Sequence, residues 1–294
     1  MKCLKNKNLV LILMIIGILA VYVGYRQVDA WRTDTAAPVI SIDDTQMLQV
    51  SVQVPKDELL QGVTATDRRD GDLTQKLVVE SVRLIDSDGQ VTVRYAVADE
   101  AGNVAKAERT AQYTDYESPK FSLSRPLVYE VYQDFDVLDA VYARDALDGD
   151  IRHRVRATAM GEESIYSQGT HDVHLQVSNS LGETAEIIVP VEVVETGTYD
   201  ASLTLTDYLI YLPQGSTFDA EEYLGAFIYR AEDTSLRNGL PGGFSLKVEG
   251  NVRTGTPGVY PVSYKVTYIV NQGGYSEYTQ RVTAYSKLIV VVEG

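Results

Sequence analysis

The residues best suited to chemistry are aspartates, and they occur as a doublet. Asp67, Asp70 and Asp72 place three carboxylates within six residues, and Asp145, Asp148 and Asp150 do the same further along. Ca²⁺ takes six to eight oxygen ligands, and clustered carboxylates on a loop are one way to supply them. Asp side chains also close turns by accepting from the backbone two or three residues on. Arg68 and Arg69 lie inside the first cluster and offset its charge. Neither loop carries a Glu at its twelfth position, as the helix–loop–helix calcium motif would. The two readings, a Ca²⁺ site and plain turn chemistry, both stand on the sequence.

Tyrosine is the second candidate. Residues 197–294 hold 11 of the chain's 20. A tyrosine offers a flat apolar face with a polar rim, which suits sugar rings and protein partners. Tyr260, Tyr264 and Tyr268 differ by four, so on a strand they share a face. Val262 and Val266 are expected on the opposite face; burying the valines would then leave an exposed tyrosine ladder. Signals for catalysis are weak. His171 and His174 are an odd number of residues apart on an expected strand, which spoils them as a metal pair. There is no Gly-x-Ser-x-Gly elbow and no phosphate loop, and Cys3 is the one cysteine. The chain is expected to be non-enzymatic and without a cofactor, Ca²⁺ aside.

These residues are positioned by a repeat. Val63–Leu73 and Val141–Ile151 match at six positions with a constant offset of 78. A fixed period marks a tandem array of modules. Pro38 and Pro119 each lead an alternating segment, Val39–Ile42 and Lys120–Leu123, after a polar stretch that reads as a boundary. Val91, Val93, Tyr95 and Val97 alternate with polar or small residues, as do Val173, Leu175 and Val177. Such alternation puts one face on a core and the other in water. Asp99–Asn103 and Asn179–Glu183 then turn the chain, with Gly102 and Gly182 late in each turn. In the last third Gly258–Val266 keeps the alternating strand, and Asn271–Gly274 reads as its hairpin tip. Asp233 is the candidate match to Asp67 and Asp145, and Ser216–Phe227 reads as a short helix with acidic residues early in it.

The pattern resembles the bacterial surface Ig-like modules that recur in tandem on anchored or secreted proteins, including a hyalin-repeat-like module appended to one crystal-toxin family. Pro38, Asp67, Asp70-Gly71-Asp72, Tyr95, Asp99 and Gly102-Asn103 carry the resemblance, with Pro119, Asp145, Asp148-Gly149-Asp150 and Gly182 in the second copy. Asn179 and Glu183 stand where Asp99 and Asn103 do, a departure at that tip. The resemblance implies antiparallel sandwiches of about seven strands each. It implies little about a ligand, because such folds host many functions.

At the N-terminus Lys2, Lys5 and Lys7 precede an uncharged run from Asn8 to Tyr25. As a helix it would span roughly 27 Å, just enough for a hydrocarbon core. The lysines place the N-terminus in the cytoplasm and the rest outside. A cleavable signal peptide competes, with Val28-Asp29-Ala30 as its cleavage candidate. All 41 acidic residues follow residue 26; three of the 26 Lys and Arg precede the run, leaving 23. An excess of 18 acidic charges disfavours nucleic acid and anionic lipid.

The expected architecture is all-β: tandem immunoglobulin-like β-sandwiches behind one N-terminal transmembrane helix. Its parts are an anchor at 1–26, a stalk at 27–36, and modules at 37–115, 116–196 and 197–294. The expected role is a cell-surface stalk for adhesion, interaction or spacing, with the membrane as one partner and a protein or glycan outside as another. The alternatives are a carbohydrate- or cell-wall-binding protein using the tyrosines, or an accessory subunit of an envelope assembly.

Overall fold

The computed structural model describes residues 2–32, 34–195, 201–271 and 279–294. The chain forms two compact units, residues 1–116 and 117–294. The first holds helix α1 (Lys2–Arg32) and seven strands: β1 Val39–Ile42, β2 Leu48–Val50, β3 Val63–Asp67, β4 Gly71–Asp72, β5 Val78–Leu84, β6 Gln90–Ala98 and β7 Val104–Tyr113. They make two sheets, β1-β3-β4 and β2-β7-β6-β5. All pairings are antiparallel except β2 with β7. The period-two expectation is met on β6, where Val91, Val93, Tyr95 and Val97 are buried and the residues between them are half-buried.

The second unit repeats this strand order twice. Its first sheet pair is β8 Lys120–Leu123, β10 Val141–Asp145 and β11 Gly149–Asp150, against β9 Val128–Glu130, β12 Arg156–Ala159, β13 Gly169–Ser178 and β14 Thr184–Val194. Its second is β15 Ala201–Leu205, β17 Leu224–Tyr229 and β18 Glu232–Ser235, against β16 Leu209–Pro213, β19 Phe244–Glu249, β20 Gly258–Asn271 and β21 Thr279–Glu293. In both pairs a short strand lies parallel to the last one, β9 beside β14 and β16 beside β21. The last third, divergent in sequence, therefore keeps the topology of the others.

Each sheet pair of this unit has its own core, and the two meet along a seam. Leu209 and Ile289 belong to the apolar cluster built on Phe121, Leu127, Ile151 and Leu175. Polar contacts stitch the same seam. The Phe121 N–H donates to the Tyr211 hydroxyl at 2.8 Å, and Lys120 pairs with Glu293 at 3.1 Å. Lys287, 4 % exposed, holds Glu192 at 2.7 Å. An ammonium so buried requires its carboxylate, since an unpaired charge there would cost several kcal/mol.

Several expectations are corrected. Ser216–Phe227 is not a helix: one 3-10 turn, Ala220–Tyr223, is capped by Asp219 accepting from the Glu221 N–H, and β17 follows at once. Asp233 lies exposed on β18 beyond a two-residue turn at Arg230-Ala231, both with positive φ, so it does not match Asp67 or Asp145. Helix α1 runs through Arg32, past the expected start of a stalk. Among the described residues no helix is long and apolar enough to cross a membrane. The expected hairpin tip after Asn271 lies outside the described residues.

Candidate functional site

The Asp-Gly-Asp turns are built alike. In the first, the Asp67 carboxylate accepts from the N–H of Arg69 at 2.6 Å and of Asp70 at 2.9 Å. Gly71, at φ +78°, then reverses the chain so that Gly71 pairs with Asp67. In the second, Asp145 accepts from Leu147 at 2.9 Å and Asp148 at 2.8 Å, and Gly149 sits at φ +71°. Asp72 and Asp150 accept from the N–H of Thr74 and Arg152, each at 2.9 Å, and so open the short 3-10 turns that follow. The remaining aspartates reach across to the opposite sheet. Asp70 accepts from the Glu100 N–H at 2.7 Å. Asp148 accepts from the N–H and the hydroxyl of Ser180, each at 2.6 Å, and pairs with Arg154. Each turn thus ties the tip of its own β6–β7 or β13–β14 hairpin to the other sheet.

The predicted carboxylate sets therefore do not converge. Asp70 and Asp72 are turned to different backbone donors, as are Asp148 and Asp150. Asp67 instead meets two aspartates from distant segments: one carboxylate oxygen each of Asp34, Asp67 and Asp99 lies within 4.8 Å of the others. Asp67 and Asp99 are both more than nine-tenths buried. The Asp99 oxygens accept from the N–H and the side-chain amide of Asn103, each at 2.7 Å. The same amide donates to the Asp34 carbonyl at 3.2 Å, which draws the segment before β1 onto the hairpin tip.

The backbone N–H groups of Asp70 and Arg69 hold Asp67 below its usual carboxylate range, helped by the Arg69 charge. Burial pulls Asp99 upward, but the Asn103 donors outweigh it and leave Asp99 lowered. Asp67 and Asp99 are thus both charged at neutral pH. Three carboxylates supply part of the oxygen shell of a hard cation, with the rest left to carbonyls and water. In the second turn Asn179 occupies the place of Asp99. Its amide donates to Asp145 at 3.0 Å, and its carbonyl accepts from Leu181 and Glu183. There a neutral donor satisfies the aspartate and no cation is called for.

The tyrosine ladder does not form. A strand has a period of two, so positions 260, 262, 264, 266 and 268 all share one face. That face is the core: Val262, Tyr264 and Val266 are buried, and Tyr264 is wholly so. The Tyr264 hydroxyl donates to the Ala220 carbonyl at 2.8 Å, and burial raises its pKa well above the usual value. Tyr260 donates to the Thr256 carbonyl, and Tyr268 stacks on Phe244 with centroids 4.4 Å apart. Tyr95 plays the part of Tyr264 in the first unit, donating to the Leu59 carbonyl at 2.7 Å. The two histidines face opposite ways, as expected. His171 is buried against the Ser167 carbonyl, and His174 meets Glu186 on the outside.

No family model matches the chain. Its sequence is similar to the pesticidal crystal protein Cry22Aa of Bacillus thuringiensis, 27% identical over 237 residues, which is 78% of this chain and 31% of that protein. The chain thus spans about a third of that relative's length. Among solved structures, a Clostridium perfringens ZmpB fragment, CBM51-2 with INT domains in complex with GlcNAc, matches 87% of this chain and 44% of its own, at 15% identity and a TM-score of 0.21. The protocadherin GammaB4 extracellular domain matches 86% and 49%, at 11% identity and 0.20. Scores this low carry no argument about function.

Proposed function

We propose that the chain is a non-enzymatic bacterial surface protein whose Ig-like sandwiches act as a stiff spacer between an N-terminal membrane anchor and a partner outside the cell. The observation that supports it best is the seam of the second unit. Two sandwiches joined by Leu209 and Ile289, which pack into the core of the first, and by a buried Lys287 paired with Glu192 resist bending at their junction, which a spacer requires. The anchor rests on α1, whose large apolar side chains from Val10 to Tyr25 are all about half or more exposed. An exposed apolar surface of this kind has to be covered, and a bilayer covers it without a protein partner. The lysines before it favour a cytoplasmic N-terminus.

Membrane fractionation of bacteria producing the full chain tests this. The chain should stay in the pellet through an alkaline wash, dissolve only in detergent, and be cut by protease added to intact cells. Deleting residues 2–26 should release it. A soluble product that begins just after Ala30 would replace the anchor with a cleaved leader.

A bound cation is a second reading, and the convergence of Asp34, Asp67 and Asp99 favours it. Ca²⁺ at millimolar concentration should then raise the melting temperature of the chain, and Asp99→Asn should abolish the rise.

A further inference from the structure

In the first unit an arginine is buried with no counter-ion among the described residues. Arg109, on β7, is 7 % exposed. One of its terminal nitrogens donates to the Leu59 carbonyl at 2.7 Å, an acceptor it shares with Tyr95. Its guanidinium stands 5.5 Å from the Tyr95 ring, and its Nε has no hydrogen-bond partner. Burying a charge is costly unless it is paired and hydrogen-bonded, and an orphaned buried donor calls for an explanation. Holding the Leu59 carbonyl does not supply one, because the Tyr95 hydroxyl already does so and carries no charge.

Arg109 forms part of the wall of an open cavity of about 660 Å³. Asp43, Gln46, Gln49, Gln61 and Gly62 line it too. Gly62 separates the acid from the base: a side chain there would begin 3.5 Å from the Asp43 Cβ and 3.8 Å from the Arg109 Nη1. Gly62 is also at φ +75°, where other residues are strained, so the gap is built into the backbone. The Asp43 N–H donates to the Gly62 carbonyl, which fixes the two loops side by side. Asp43 turns one oxygen to the hydroxyl and N–H of Thr45. These bonds keep it ionised, below its usual range. Asp43, Arg109 and three glutamines thus line a space that no side chain fills.

We propose that this cavity binds the carboxylate group of a small polar ligand, with Arg109 as the anion clamp and Asp43 and the glutamines reading a donor group beside it. A guanidinium matches a carboxylate in charge and in planar geometry, which no neutral group does. Asp43 then rejects simple dianions and favours a ligand with an N–H or hydroxyl donor next to its acid. Two sources carry that chemistry, the free end of a peptide and a sugar acid.

Calorimetric titration of the full chain in detergent micelles tests the site. The probes are alanyl-alanine and glucuronate, with alanyl-alaninamide and glucose as their neutral-ended controls. One acid should bind with a dissociation constant on the order of millimolar, and its control at least tenfold more weakly. Which acid binds names the source. Arg109→Gln should weaken binding at least tenfold. Because that change also removes a bond to Leu59, Gln46→Glu serves as the second variant: it adds a carboxylate to the wall, leaves Arg109 in place, and should weaken binding as much. The proposal is overturned if neither acid binds the folded chain, if each control binds as well as its acid, or if both variants bind like the parent.

Discussion

The first unit and the second build the same acidic turn and settle its charge in opposite ways. Asp67 and Asp145 accept from the same two backbone positions and are followed by the same Gly-Asp pair. Beyond the turn, Asp67 meets Asp99 and Asp34, whereas Asp145 meets the amide of Asn179. The turn itself is therefore structural in both, and the cation question belongs to one tip residue. A second contrast lies in the cores. The first unit closes a single sheet pair, while the second fuses two through Leu209, Ile289 and the Lys287–Glu192 pair.

The largest effect is expected at the seam. Lys287→Ala leaves Glu192 without its partner and should destabilise the second unit by about 2–3 kcal/mol, below the range for fully buried pairs because Glu192 is partly solvated. Replacing both, Lys287→Met with Glu192→Leu, should recover most of it. Denaturant unfolding measures both, and equal losses in the single and double variants would show that packing and not charge holds the seam. Next comes the turn. Asp145→Ala takes the acceptor from two backbone N–H groups and strands the Asn179 amide, a loss of about 2 kcal/mol. Asp67→Ala should lower the melting temperature less, because it also relieves repulsion from Asp34 and Asp99.

Smaller still is Asp99→Asn, which copies the second turn into the first. Without Ca²⁺ it should lower the melting temperature slightly, because the Asn103 donors that favour a charged Asp99 outweigh the repulsion from Asp67. The pH dependence acts on both units. Asp67 and Asp99 in the first and Asp148 in the second have folded-state pKa values below the unfolded ones, so their stabilisation is present above the unfolded carboxylate range and is lost as pH falls through the folded values. Tyr264 and Tyr95 have the opposite sign: burial raises their pKa, so their contribution holds below about pH 10 and is lost as the pH climbs further. Acid and alkali should therefore each lower the melting temperature of both units in a pH series of melting curves.

Much of the fold was legible because β6, β13 and β20 bury every second residue, and the 78-residue offset aligned the turns. The candidate site was legible only in part. Asp67 stands out in sequence, but Asp34 and Asp99 come to it through tertiary folding that no local spacing encodes. Asp99 was within reach, since it lies on a recognisable hairpin tip and Asn179 marks its counterpart. The tyrosines mislead because Val262 and Val266 lie an even number of residues from them, and every even step on a strand returns to the same side. Arg109 gave no signal at all: an arginine on an alternating strand reads as solvent-facing until its burial is seen.

The central claim is that residues 117–294 behave as one stiff body. Pulsed electron-spin distance measurement addresses it directly, with spin labels at Arg156→Cys on β12 and Ser245→Cys on β19 in a Cys3→Ser background. A single narrow distance distribution, broadened by Lys287→Ala, is the predicted result. A broad distribution in the parent chain would mean that the two sandwiches swing independently and would contradict the spacer.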